Sequence, residues 1–107
     1  MKLRLSHVNL PARDPEALAR WYEKELGLER RGCFLYGQDS LIVFEEGEPI
    51  GARGNTHFGF AVESETEVER WAAHFGAQVE SGPGFASTKL RDPDQNCIEI
   101  FWEEPTS

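Results

Sequence analysis

The sequence carries a repeat at a spacing of 50 residues. Ser6-His7-Val8-Asn9-Leu10 recurs as Thr56-His57-Phe58-Gly59-Phe60, and Arg20-Trp21 recurs as Arg70-Trp71. One residue short of that spacing, Gly27 recurs as Gly76. Two copies are too few for a solenoid, which needs about three stacked repeats to cover its core. The chain of 107 residues has room for one domain. The repeat therefore implies a duplicated motif within a single domain.

Each copy reads as a strand, a helix and a run of short strands. Residues 3–9 alternate, with Leu3, Leu5, His7 and Asn9 on one face, which suits a strand. Pro11 and Asp14-Pro15 break the run. Asp14 suits an N-cap, because its carboxylate accepts from a free helix amide, and Pro15 suits the first helical position. Leu18, Trp21, Tyr22 and Leu26 follow at helical spacing, and Gly27 is placed to end the helix. Strands are expected near 28–37 and 40–46. The second copy opens with a strand at 56–62. Ser64-Glu65-Thr66-Glu67 is a capping box. Val68, Trp71, Ala72 and Phe75 form an apolar stripe that Gly76 ends. Strands near 77–81, 86–91 and 97–103 complete the copy, with Asp92–Asn96 as a turn. Residues 47–55, with three Gly and a Pro, join module one (1–47) to module two (55–104). The expected fold is α+β, two βαβββ units.

Charge and cysteine usage exclude several classes of function. Lys plus Arg number 11 and Asp plus Glu 19, a net charge of −8. That balance opposes nucleic-acid binding, which needs a basic face, and opposes anionic membranes. Apolar residues make up 39% of the chain and fall in periodic blocks, which opposes disorder. Cys33 and Cys97 form no CxxC pair, so a zinc ribbon or CxxC redox motif is excluded, and reduced thiols are expected. No apolar run of about 7–15 residues follows Met1 and no apolar span reaches about 20, so neither signal peptide nor membrane helix is expected. The expected compartment is the cytoplasm.

His7 and His57 occupy the same place in the two copies. Duplicated strands tend to lie near a pseudo-twofold axis, and two imidazoles facing one cavity make a metal-site candidate. His74, on the second helix, reads as a surface histidine. Glu99 is the candidate third ligand. In Cys97-Ile98-Glu99-Ile100-Phe101-Trp102 the two isoleucines face one side, which turns Glu99 to the other with Cys97 and Phe101. A carboxylate on an inward face needs a cationic partner. Two imidazoles and one carboxylate suit Fe(II), Mn(II), Zn(II), Ni(II) or Co(II), with positions left open for substrate. The first copy offers no matching ligand, since either Leu41 or Val43 stands opposite Glu99. Glu45 shares their parity. Trp21, Tyr22, Trp71 and Phe75 lie on helical stripes and read as core. Phe34, Tyr36, Phe85 and Phe101 read as cavity lining.

Three segments resemble the vicinal oxygen chelate superfamily of glyoxalases, extradiol dioxygenases, fosfomycin-resistance and bleomycin-resistance proteins. They are Leu5–Leu10 with Asp14-Pro15 and Trp21–Leu28, then Thr56–Val62, then Arg91–Ile100. The resemblance spans nearly the whole chain. It implies paired βαβββ modules in a cupped mixed sheet with helices on the outer face, and metal ligands at His7, His57 and Glu99. It also implies a homodimer, in which a second copy covers the open apolar face. The family signature has Gly where this chain has Gln95, which implies a different turn. A glyoxalase I would carry a fourth carboxylate at the place of Leu41 or Val43. Lys89 stands where fosfomycin-resistance enzymes have Tyr, and Ser87, Thr88 and Lys89 are the groups near it that can meet an anion. The expectation is a metal-dependent lyase, dioxygenase or transferase acting on a small substrate through vicinal oxygens. Phe34, Tyr36, Lys89 and Phe101 are its expected substrate contacts. The rival expectation is a metal-free binding protein of bleomycin-resistance type that sequesters a cationic or aromatic small molecule, which the acidic balance suits.

Overall fold

The structure is a computed structural model that describes residues 1–51 and 53–105. The chain divides into two compact units, Met1–Ile50 and Gly51–Ser107. The first contains β1 (Val8–Ala12), α1 (Pro15–Leu26), β2 (Glu29–Arg31), β3 (Phe34–Gly37) and β4 (Ser40–Glu46). The second contains β5 (Phe58–Ala61), α2 (Glu65–Phe75), β6 (Val79–Gly82), β7 (Phe85–Arg91) and β8 (Cys97–Glu103). Each unit is βαβββ with a mixed four-stranded sheet, in the orders β1-β4-β3-β2 and β5-β8-β7-β6. In both, the first strand runs parallel to the last and the other pairs are antiparallel. The parallel pair requires a long crossover, and the helix together with the hairpin strands supplies it.

The helix ends follow the local chemistry expected of them. Asp14 accepts from the Ala17 amide at 3.1 Å, Pro15 enters the first turn, and Gly27 closes α1 at φ 72°. Ser64 Oγ accepts from the Glu67 amide at 3.2 Å, while Glu67 Oε2 accepts from the Glu63 amide at 2.8 Å. The cap thus satisfies amides that have no partner within the helix. In the first unit, α1 buries Leu18, Ala19 and Tyr22. The Tyr22 ring meets Phe44 at 5.1 Å between centroids. Tyr22 has no accessible surface, and truncating so large a core side chain costs about 3–5 kcal/mol. In the second unit, Val68 and Ala72 of α2 are buried along with Ala86, Thr88, Leu90, Ile98 and Ile100. Trp21, Trp71 and Phe75, expected in the core, are half-buried. Among the described residues no helix is long and apolar enough to cross a membrane.

Alternation then decides which residues lie on the face away from the helix. In the first unit Leu35, Ile42 and Phe44 are buried. The pairs Phe34↔Val43 and Tyr36↔Leu41 lie on the opposite face. In the second unit the burial of Ile98 and Ile100 turns Cys97, Glu99 and Phe101 the other way, beside Arg91, Lys89 and Ser87 of β7.

One local expectation is corrected. The strand expected at 3–9 begins at Val8 and runs on through Pro11. Its partner β4 starts at Ser40, two residues before the Val8↔Ile42 pair, so the ladder runs out before Leu5. Leu3 and Leu5 are accordingly exposed, at 99% and 77%. Pro11 is tolerated because β1 is an edge strand, where a missing amide need not break a ladder. The turn at Gln95 has a backbone that suits glycine. Gln95 takes φ 67°, the left-handed conformation that glycine enters without strain. Asp92, 2% exposed, locks that turn by accepting from the Asp94 and Asn96 amides, both at 2.9 Å, and from Asn96 Nδ2 at 2.8 Å. Gln95→Gly is therefore expected to stabilise the protein by about 0.5–1 kcal/mol, the strain relieved less the chain entropy that glycine adds. Urea unfolding measures this. A loss of stability would show that the Gln95 side chain holds the turn.

Candidate metal and substrate site

His57 lies one residue before β5, and Glu99 at the third position of β8. The parallel register sets Phe58 beside Ile98 and Gly59 beside Glu99. His57 Nε2 is 3.3 Å from Glu99 Oε1, with side-chain exposures of 38% and 21%. Its other ring nitrogen, Nδ1, is 2.8 Å from the Asn55 carbonyl oxygen. A carbonyl can only accept, so Nδ1 carries the proton and donates it. In a neutral ring Nε2 is then a bare lone pair facing carboxylate lone pairs. Two acceptors at this distance repel unless a proton or a cation lies between them.

The donor set fits a divalent ion. Imidazole Nε2 and a carboxylate oxygen each bind such an ion at about 2.0–2.2 Å, which is compatible with a nitrogen-to-oxygen separation near the one found. The contact to the Asn55 carbonyl fixes the tautomer of the His57 ring, as an outer partner would for a histidine that held an ion. Gly59 allows the close approach of β5 to β8 at Glu99. A Cβ there would come within 2.9 Å of the Glu99 carbonyl oxygen and 3.3 Å of Glu99 Cβ.

The first unit holds His7, exposed and one residue before β1. Ser6 Oγ lies 2.9 Å from its Nδ1; a hydroxyl can donate or accept, so this contact, unlike the one to the Asn55 carbonyl, does not fix the tautomer. Val8↔Ile42 in this unit corresponds to Phe58↔Ile98 in the other, which puts Val43, not Leu41, at the place of Glu99. No carboxylate occupies that position. Glu45, one step further along the same face, accepts a hydrogen bond from Asn9 Nδ2. Of the three expected ligands, the structure brings His57 and Glu99 together. Among the described residues, no three His, Cys, Asp or Glu side chains converge on one point.

The expected substrate contacts divide between the units. Phe34 and Tyr36 lie on the helix-free face of the first sheet with ring centroids 6.5 Å apart. Arg31 lies over Tyr36, 5.1 Å from the ring centroid. Phe101 is half-buried beside Ser87 on the second sheet. Lys89 lines a cavity of about 490 Å³ in the second unit, together with Thr56, His57, Arg91 and Cys97. It also borders a smaller cavity of about 350 Å³ that contains Glu80. Phe85, expected to line a cavity, is 39% exposed and borders neither of these. Sequence reasoning missed Arg91 and Cys97 as cavity residues, although the alternation that picks Lys89 also picks Arg91. The role of Asn55 left no signal, because any residue supplies a backbone carbonyl. Cys33 and Cys97 are free and half-buried. His74 is exposed, as expected, with its ring edge-on to Phe75 at 4.8 Å.

The comparisons with known proteins agree with this architecture. Among curated proteins none matches the chain. Several solved structures share the fold. A lactoylglutathione lyase from Agrobacterium tumefaciens is 24% identical, with a TM-score of 0.72 over 95% of each chain. The oxidase ChaP-H1 is 20% identical, with a TM-score of 0.69 over 95% of this chain and 97% of its own. A glyoxalase/bleomycin resistance protein/dioxygenase from Alicyclobacillus acidocaldarius is 20% identical, with a TM-score of 0.66 over 91% and 89%. At these identities the likeness is one of fold. The family model of the Glyoxalase/Bleomycin resistance protein/Dioxygenase superfamily matches residues 4–100. The α+β chain of two βαβββ units belongs to that superfamily.

Proposed function

We propose that the protein is a metal-dependent enzyme acting on a small substrate that binds the ion through vicinal oxygens. The observation that carries this is the His57–Glu99 pair, with Nδ1 committed to the Asn55 carbonyl and Nε2 turned to the carboxylate at 3.3 Å. His7, at the equivalent position of the repeat, is the proposed third ligand. A bound Fe(II), Mn(II), Zn(II), Ni(II) or Co(II) ion would act as a Lewis acid, stabilising an enolate or oxyanion of the substrate.

The chain's own residues have separable tasks in this proposal. Asn55 orients the His57 ring. Gly59 lets β5 approach β8 at Glu99. Phe101, Phe34 and Tyr36 supply apolar surface for the body of a substrate. Val43 leaves no carboxylate where the first unit would otherwise match Glu99, so a proton-transfer role there falls to Glu45, held by Asn9, or to the substrate. Lys89 and Arg91 border the cavity at His57, which disfavours sequestration of a cationic ligand there. The proposal includes a cytoplasmic homodimer, in which exposed Leu3, Leu5 and Phe34 are apolar surface for a second copy to cover. Sedimentation is expected to give the mass of a dimer, and a monomer at micromolar concentration would contradict that part.

Metal binding tests the central proposal. Untagged protein is expected to bind one of these ions with roughly micromolar or tighter affinity, and His57→Ala or Glu99→Gln to weaken binding by more than about tenfold. Calorimetry and elemental analysis read both. Wild-type protein that binds none of the five ions would overturn the proposal. Gly59→Ala probes the same site through the backbone. Its Cβ must push β5 from β8, which is expected to destabilise the fold by about 1–3 kcal/mol and to weaken metal binding. Full retention of both properties would show that the close approach at Gly59 is not required.

A further inference from the structure

We infer that the substrate is an anion, and that Lys89 and Arg91 hold its carboxylate, phosphonate or phosphate group in the cavity beside His57. The inference rests on the metal-site proposal for where the reaction occurs, but its own evidence is separate. The chain as a whole is strongly acidic, at −8, yet the cavity of about 490 Å³ in the second unit includes Lys89 and Arg91 and no carboxylate among its lining residues. The two cations are two residues apart on β7 and so share one face of the sheet. Lys89 lies opposite Glu99 and Arg91 opposite Cys97.

Neither side chain makes an ion pair among the described residues, although Lys89 stands across the ladder from Glu99. Glu99 turns its carboxylate to His57, 3.3 Å away. The one bond of the Arg91 side chain among the described residues is from Nη1 to the Gln95 carbonyl oxygen at 3.3 Å. That bond steadies the guanidinium and leaves its other N–H groups available. Two like charges on one strand face repel each other, so their placement gains most when an anion lies between them. A flexible ammonium beside a planar guanidinium is a suitable donor set for an oxyacid group. Thr56 adds a hydroxyl to the same cavity. In an acidic molecule such a local patch also decides where an approaching anion is drawn.

The test uses the full chain with and without its metal, and three probes: acetate, inorganic phosphate and neutral acetamide. Shifts of the backbone amides at residues 55–57 and 88–92 report binding by NMR. Metal-free wild-type protein is expected to bind acetate or phosphate at least about tenfold more tightly than acetamide, and added salt to weaken that binding. Whichever anion binds better identifies the oxyacid class. The double variant Lys89→Gln, Arg91→Gln is expected to lose about tenfold or more in anion affinity while its metal affinity stays unchanged. Both side chains are exposed, so the fold is expected to survive, and Lys89→Arg with Arg91 intact is expected to retain anion binding. Equal binding of acetate and acetamide, or unaltered anion affinity in the double variant, would overturn the inference. Failure of the metal proposal has a different signature, namely anion binding intact in a chain that takes up no divalent ion.

Discussion

His57 donates from Nδ1 to the Asn55 carbonyl over 2.8 Å, and the chemistry of the second unit follows from where that leaves Nε2. With Nδ1 protonated and engaged, Nε2 has a fixed direction and, in the neutral ring, a lone pair. The direction is toward Glu99 Oε1. Neither group satisfies the other in its neutral-imidazole and carboxylate forms, and a cation satisfies both. The backbone just ahead of β5 thus does as much for the site as the ligand side chains. It prevents the ring from turning over to offer the wrong nitrogen.

The sheets explain why the two groups meet. The parallel pairing of β5 with β8 brings Gly59 opposite Glu99, and His57 then lies two residues back along the chain, just before β5. Burial of Ile98 and Ile100 against the α2 side leaves Glu99 one possible face. The first unit repeats this scaffold with different content. Its corresponding face carries Val43, Leu41, Phe34 and Tyr36, with Asn9 bound to Glu45. The two units share their strand order and a histidine just before the first strand, while the helix-free face is apolar and aromatic in the first and charged in the second.

Much of this was legible in the sequence, because the signals are local. Asp14, Ser64, Gly27 and Gly76 mark the helix ends through side-chain caps and left-handed backbone, which depend on neighbouring residues only. Period-2 alternation around Glu99 sufficed to assign its face. The strand at 3–9 was misplaced because alternation says nothing about where the partner strand ends, and β4 has no residues left to pair with Leu3 and Leu5. Leu41 and Val43 could not be separated from sequence, since matching either end of β4 to β8 is self-consistent until the parallel pairs are known. Arg91 was overlooked because it stands at the edge of the Asp92–Asn96 turn and reads as a solvated charge. The Asp92 network enforces the backbone at Gln95, which residue type alone does not show.

The state of the His57 ring tests the central claim most directly. Nitrogen-15 NMR of the imidazole side chains reports which ring nitrogen is protonated and whether the other gains a metal. For neutral His57 we expect proton density on Nδ1 in metal-free protein, and a large shift confined to Nε2 when a divalent ion is added. A proton on Nε2 with Nδ1 bare, or an Nε2 resonance indifferent to every ion, would contradict the site described above.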